Sequence, residues 1–271
     1  QRPALPSAPA RLRSSRACSS SGSAASTTAL SAVGAAAAGA AGAVVAREVA
    51  EAPAGFALIR VENTESALHR LAAWYREKLA ARVIGLTGSN GKTSTKDFTA
   101  AVAGIRVTVN KTDGNLNNHI GLPLTMLSAR TTDEVCVWEM GMNHPGEIEQ
   151  LARLARPHLG IITNIGVAHI EFLGSREAIA REKGMLGEVL GPEDVLVLPS
   201  ADEFTPSLAA RTKARVVLAG AADGLHAENL RPSTHGLDFD LVRGGERVAA
   251  HLPVTGEHMV RNALLAVSAG L

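Results

Sequence analysis

The chain has little of four things that would have pointed elsewhere. Aromatic residues make up only 3% of its 271 residues, so stacking platforms for single-stranded nucleic acid have almost nothing to be built from. Neither sign of charge dominates: 27 basic against 26 acidic residues give a formal net charge of +1, which argues against a polyanion-binding surface and against an acidic tail. Two cysteines, Cys18 and Cys136, build no disulfide framework, and Cys136 lies in an apolar strand-like run where a reduced, buried thiol is expected. Long apolar runs are missing too: Ala35 to Ala41, interrupted by Gly39, is too short and too weakly apolar to span a bilayer. The chain reads as a protein of a reducing compartment, without a membrane span.

A local absence is sharper. No carboxylate precedes Glu48, and residues 1 to about 30 are rich in Ser, Ala, Pro and Arg. Such a segment cannot bury enough apolar surface to offset its ordering entropy and is expected to be disordered. It has the composition of an organellar transit peptide. An incomplete or misread reading frame gives the same look, since the chain begins with Gln1.

What is present is organised around Val83-Ile84-Gly85-Leu86-Thr87-Gly88-Ser89-Asn90-Gly91-Lys92-Thr93-Ser94-Thr95-Lys96. An apolar strand feeding a helix through a glycine-interrupted turn aims N–H groups and a helix N-terminus at one point, and that point attracts phosphate. Gly88 and Gly91 let the backbone close on an anion, Lys92 reaches the terminal phosphates, and the Thr93 hydroxyl is placed for magnesium. The longer P-loop spacing is not met, because Leu86 stands where its first glycine belongs. Thr-Gly-x-x-Gly-Lys-Thr fits instead.

Around this stretch, strands and helices alternate. A strand at Val44-Val45 and one over Ala57 to Val61 precede a helix from Leu68 to Leu79 with a cap at Asn63 or Thr64. After the helix at Thr95 to Val102 come strands at Val107 to Val109, Val135 to Met140, Leu159 to Thr163, Val195 to Leu198 and Val216 to Leu218. Helices are expected at Leu122 to Leu127, Pro145 to Leu154 with proline first, Arg176 to Leu190 and Phe204 to Arg211. This predicts an α/β fold, a mostly parallel sheet with helices on both faces. A hairpin of Leu237 to Leu241 and Arg247 to Val254 around Gly244-Gly245 reads as an addition at the sheet edge. Gly256 to Asn262 then opens a helix over Ala263 to Leu271 that has no stop signal, so the pattern is expected to continue. The pair Trp74-Tyr75 reads as packing.

Ligands of parallel sheets sit beyond the carboxyl ends of the strands, and polar residues gather there. Glu139 ends one strand, where it suits a magnesium ion or, alternatively, is a helix-capping or solvent glutamate. His169, following Thr163-Asn164, is either a satisfied loop residue or a metal ligand. Lys183 by its spacing is a solvated helix lysine. Asn115, Asn117 and Asn118 either shape a turn and cap a helix or face substrate.

Thr87 to Thr93, Asn117-Asn118-His119-Ile120-Gly121-Leu122-Pro123, Glu139-Met140-Gly141, Asn164-Ile165 with His169, and Gly256 to Asn262 occur in the order seen in the Mur ligases, and from Ala43 to Leu271 the chain resembles that family. Gly141 to Ile148, Ala168 to Glu171 and Lys183-Gly184 resemble most the members that join D-alanyl-D-alanine to UDP-N-acetylmuramoyl-tripeptide in peptidoglycan precursor synthesis. The resemblance implies an ATP-dependent, ADP-forming amide ligase, with ATP and two magnesium ions, acting as a cytoplasmic monomer, or in a plastid if the leader is a transit peptide. It implies that Gly88, Ser89, Asn90, Gly91, Lys92, Thr93 and Ser94 hold the phosphates and that Asn262 contacts adenine. Thr93, Glu139, His169 and Lys183 would be the metal ligands, Lys183 as a carbamate; Asn117 and Asn118 would face substrate; Lys92, Glu139, His169 and Lys183 would be catalytic. It divides the chain into a leader (1–42), a remnant of a UDP-sugar-binding domain with a connector helix (43–80) and a central ATP-binding domain (81–271), without the family's C-terminal domain. Another amide ligase of the family (another Mur enzyme, a folylpolyglutamate synthase or a cyanophycin-type synthetase) and a non-catalytic ATP-binding fragment are the alternatives.

Overall fold

The computed structural model describes residues 32–37, 39–49 and 52–271; the leader expected over residues 1 to about 30, with Cys18, lies outside the described residues. The chain divides into two compact units after Ala67. The first contains helix α1 (Ala32–Ala37) and strands β1 (Gly42–Val45) and β2 (Ala57–Arg60), paired in parallel. Helix α2 (Thr64–Arg76) follows, and its first turn is capped as expected by the Asn63 side chain, which accepts the Ser66 N–H at 2.8 Å.

The second unit alternates strand and helix: β3 (Arg82–Thr87), α3 (Lys92–Ala103), β4 (Val109–Lys111), α4 (Gly121–Ser128), β5 (Val135–Glu139), α5 (Glu147–Ala155), β6 (Leu159–Ile162), α6 (Ile170–Leu173), α7 (Arg176–Val189), β7 (Val195–Pro199), α8 (Thr205–Arg211) and β8 (Arg215–Ala219). The six strands β3 to β8 form one parallel sheet in the order β4-β5-β3-β6-β7-β8. Both faces are covered, and the two-residue period of a strand decides which side chain goes where. Val83, Cys136, Trp138, Ile162, Leu196 and Leu198 pack with α5 and α7 residues such as Leu151, Ile179 and Leu186. Their neighbours Ile84, Val137, Ile161 and Val197 point the other way, onto Val260, Leu264 and Leu265. The chain leaves β3 toward β4 and β5 on one side and then crosses to β6 on the other, so β3 sits where the strand order reverses. That reversal opens a crevice at the carboxyl end of β3.

Four expectations need correction. Pro145 does not begin α5, because Gly146 takes a left-handed φ of 87° as the residue before the helix, which starts at Glu147. The hairpin does not extend the edge of the parallel sheet: β10 (Gly236–Arg243) and β11 (Glu246–Leu252) form a separate sheet with β9 (His226–Ser233), and Leu237 and Phe239 pack into the second core cluster. The last helix, α9 (Glu257–Ala269), begins six residues earlier than read and packs against α3. The aromatic pair splits as well. Tyr75 donates its hydroxyl to the Ala129 carbonyl at 2.7 Å, whereas Trp74 is 54% exposed, with the Lys78 ammonium 5.4 Å from its ring centroid.

Candidate functional site

The turn from Thr87 to Lys92 lies at that crevice. Gly88 has φ 152° and Gly91 φ 75°, conformations that side-chain-bearing residues rarely adopt. Space is as restrictive as backbone angle: a Cβ on Gly88 would strike the Thr163 side chain, and one on Gly91 would strike the Asn262 carboxamide. The Thr95 N–H donates to the Gly91 carbonyl at 2.9 Å, leaving the N–H groups of Lys92, Thr93 and Ser94 at the open end of α3 with its partial positive charge. Lys92 folds its ammonium against the turn, donating to the Gly88 carbonyl at 2.9 Å and the Ser89 carbonyl at 3.5 Å. Burial lowers its pKa, and the Glu139 carboxylate opposes that shift.

Glu139 is neither a helix cap nor a solvent carboxylate, since only 2% of it is exposed. Oε2 accepts from the Thr93 hydroxyl at 3.2 Å and Oε1 from the Asn117 carboxamide at 2.8 Å, while its N–H donates to Thr112 Oγ1 at 2.9 Å. Asn117 is therefore the residue that orients Glu139. Asn118 caps a helix instead, with Oδ1 accepting the N–H groups of Gly121 and Ile120 at 2.8 and 3.2 Å, at the start of α4.

His169 and Lys183 complete the electrostatic group. His169 has φ 68° just ahead of α6, and its pKa is lowered by burial and then by the positive charges of Lys183 and Lys92. Lys183, on α7, is 1% exposed and is not the solvated lysine its spacing suggested. Burial, with Lys92 nearby, brings its pKa down to about 7. The adjacent Glu182 opposes that shift; its two carboxylate oxygens accept the N–H groups of Gly146 and Ile148 at 2.8 and 2.9 Å, at the start of α5. An amine that loses its proton near neutral pH results. Asn262, on α9, is buried against Gly91. The turn, Glu139 and Asn262 are thus brought into contact, and the charges of Lys92 and Lys183 are felt at His169.

The residue-by-residue reading missed Glu182, Asp202 and Arg176. Asp202 follows the end of β7 and carried a signal related to that of Glu139, a carboxylate near the carboxyl end of a strand. An apolar cavity of about 250 Å³ lined by Val102, Ala103, Arg106 and Ala266 lies at the opposite end of α3 from Lys92, so its size says nothing about this site.

A model of the Mur ligase middle domain matches residues 86–270. The chain belongs to the Mur ligase family. It is 42% identical over 224 residues to the UDP-N-acetylmuramoyl-tripeptide--D-alanyl-D-alanine ligase of Bacillus subtilis, a match covering 83% of this chain and 48% of that protein. The like-named Escherichia coli enzyme is 36% identical over 213 residues, covering 77% and 47%. A crystal structure of MurF from Acinetobacter baumannii superposes with a TM-score of 0.80 at 33% identity, covering 88% of this chain and 53% of that one. The chain spans about half the length of the curated relatives it matches.

The donors of this Mur ligase site can be weighed against the needs of magnesium. Among the described residues no three His, Cys, Asp or Glu side chains cluster as a metal cage. A hydroxyl and a buried carboxylate nevertheless meet 3.2 Å apart at Thr93 and Glu139, and magnesium bound with phosphates commonly takes only one or two protein oxygens, leaving the rest to substrate and water. The donor set fits. Among the described residues no helix is long and apolar enough to cross a membrane.

Proposed function

We propose that the chain is the nucleotide-activating part of an ATP-dependent, ADP-forming ligase that joins D-alanyl-D-alanine to UDP-N-acetylmuramoyl-tripeptide in the cytoplasm, acting as a monomer. The observation that carries the proposal is the Thr93 hydroxyl meeting the buried Glu139 carboxylate at the mouth of the Gly88–Gly91 turn. Identity of 42% to a curated ligase of that specificity supports the substrate assignment. Residues 43–80 belong to a UDP-sugar-binding domain and its connector, and 81–271 to the ATP-binding domain.

In this reading the open end of α3 and the turn from Gly88 to Ser94 bind the ATP phosphates, and Lys92 neutralises the β and γ groups. Thr93 and Glu139 hold a magnesium ion, which when bound supplies further charge neutralisation at the phosphates. His169, kept neutral, offers a ring nitrogen to a second ion, and Asn262 contacts adenine. The neutral Lys183 amine attacks carbon dioxide and loses a proton, so that a cation becomes a carbamate able to hold the second ion. A carboxylate of the muramoyl peptide attacks the γ-phosphorus, ADP leaves, and an acyl phosphate forms. The dipeptide amine then attacks the acyl carbon, the C–O bond to phosphate breaks, and the departing phosphate carries off the proton lost from nitrogen, leaving the amide with the new C–N bond. Asn117 and Asn118 border the space for the muramoyl peptide.

The test is phosphate release from ATP by the chain completed with the flanking segments of its Bacillus subtilis relative. Release is expected with UDP-muramoyl-tripeptide plus D-alanyl-D-alanine and not with a pteroylglutamate plus glutamate; the reverse pattern refutes the assignment. In the same protein Lys183→Ala should lower the rate on the order of 100-fold, and acetate, a carboxylate standing in for the carbamate, should restore part of it. A rate unchanged by the substitution removes the carbamate.

A further inference from the structure

Both peptide atoms of Ile165 are held by charged side chains that lie far from it in sequence. Its N–H donates to Asp202 Oδ2 at 2.8 Å, and its carbonyl accepts from Arg176 Nη2 at 2.8 Å. On either side of Ile165 the chain grips the phosphate-binding turn. The Asn164 carboxamide takes the Asn90 N–H at 3.1 Å and donates to the Asn90 carbonyl at 3.1 Å, while the Asn164 carbonyl accepts the Ser89 N–H at 3.0 Å. Thr163 Oγ1 donates to the Asn90 carbonyl at 2.6 Å, and the Gly166 N–H donates to Ser89 Oγ at 2.8 Å. The segment 163–166 is thus a splint along Ser89 and Asn90, and Ile165 is the point from which the splint itself is held.

The two holders are fixed in turn. Asp202 Oδ1 accepts the Phe204 N–H at 2.9 Å, so each of its oxygens is engaged. Arg176 pairs with Glu203 and lies over the Phe204 ring, 5.0 Å from its centroid. Arg176 is the first residue of α7, and Lys183 stands two turns further along the same side of that helix. The Glu203 pair is too exposed to contribute much; the bonds to Ile165, which is 3% exposed, matter more because breaking either strands a buried peptide group.

We propose that Asp202 and Arg176 are positioning residues for the phosphate-binding turn, acting through Ile165. Neither touches the nucleotide. They set the splint, and the splint sets the backbone of Ser89 and Asn90 ahead of the open end of α3. The inference rests on the nucleotide reading of the site for its effect on affinity, and on the hydrogen bonds alone for its effect on the turn.

Two measurements on the 271-residue chain test it. The first is the dissociation constant for ATP with magnesium by titration calorimetry in wild type, Asp202→Ala, Arg176→Met and the double variant. Each single change should weaken binding about tenfold. The double variant should be weakened by less than the product of the two, because both act through one peptide unit. Affinities within twofold of wild type overturn the proposal, as does strict multiplicativity. The second is hydrogen exchange at the Ser89 and Asn90 amides in Asp202→Asn and Arg176→Lys, which keep the side-chain volume should the larger changes unfold the chain. Exchange at those two amides should accelerate at least tenfold with the β3 amides unchanged; equal rates overturn the proposal. A wild-type chain that binds no ATP, or binds it equally after Lys92→Ala, refutes the nucleotide reading instead, and exchange then decides the clamp alone.

Discussion

At Lys183 a single side chain carries both a cost in stability and a chemical opportunity. Its pKa of about 7 in the folded chain lies below the ~10.4 of an unfolded lysine. Between those values the folded state binds fewer protons than the unfolded state, so stability rises with pH across that window. Below about pH 7 the penalty for a buried ammonium is complete; above the unfolded pKa it is gone. In metal-free, carbon-dioxide-depleted buffer the melting temperature of Lys183→Met should exceed that of wild type at pH 7, and the gap should close as pH approaches 10. A gap that is constant with pH would mean that the ammonium is not desolvated. Cys136 shows the same physics without function: burial pushes its thiol up to about 12, so a thiol reagent at pH 8 should modify it only after unfolding. Rapid modification of Cys136 itself in the native chain, located by peptide mapping apart from Cys18, would contradict its burial.

At the scale of elements, the turn between β3 and α3 was the most legible part of the chain, because glycine spacing, an apolar strand and a helix start all agree there. Gly88→Ala should weaken ATP binding at least tenfold and lower the melting temperature, since it combines a φ of 152° with a collision at the Thr163 side chain. An alanine variant with wild-type affinity and melting temperature would mean that the turn relaxes freely. Strand β9 was not legible: His226 to Ser233 is polar, contains Pro232 and lacks alternation, and it forms only because β10 supplies its partner. The starts of α5 and α9 were misread because Gly146 and Gly256, not side-chain caps, precede them. The burial of Lys183, its lowered pKa and the roles of Glu182, Asp202 and Arg176 depend on contacts between residues distant in sequence, which no local pattern carries.

Across the second unit, the sheet places chemistry by topology. Reversal of the strand order at β3 brings the turn, the end of β5 with Glu139 and the segment after β6 with His169 to one edge. Trp138, fully buried one residue before Glu139, belongs to the core that backs that edge. Its indole N–H donates to Asn110 Oδ1 at 2.9 Å, tying β5 to β4. Trp138→Ala should cost about 3–5 kcal/mol in a denaturant titration; a loss below about 1 kcal/mol would place the strain-bearing core elsewhere. The central claim is that this edge forms one pocket for a nucleotide with its divalent ion. Its most direct test is calorimetric titration of the chain with ATP, with and without magnesium, in wild type, Lys92→Ala and Glu139→Ala. The account predicts magnesium-dependent binding that Lys92→Ala weakens at least tenfold and a magnesium requirement that Glu139→Ala raises. Binding that ignores magnesium and both substitutions would contradict it.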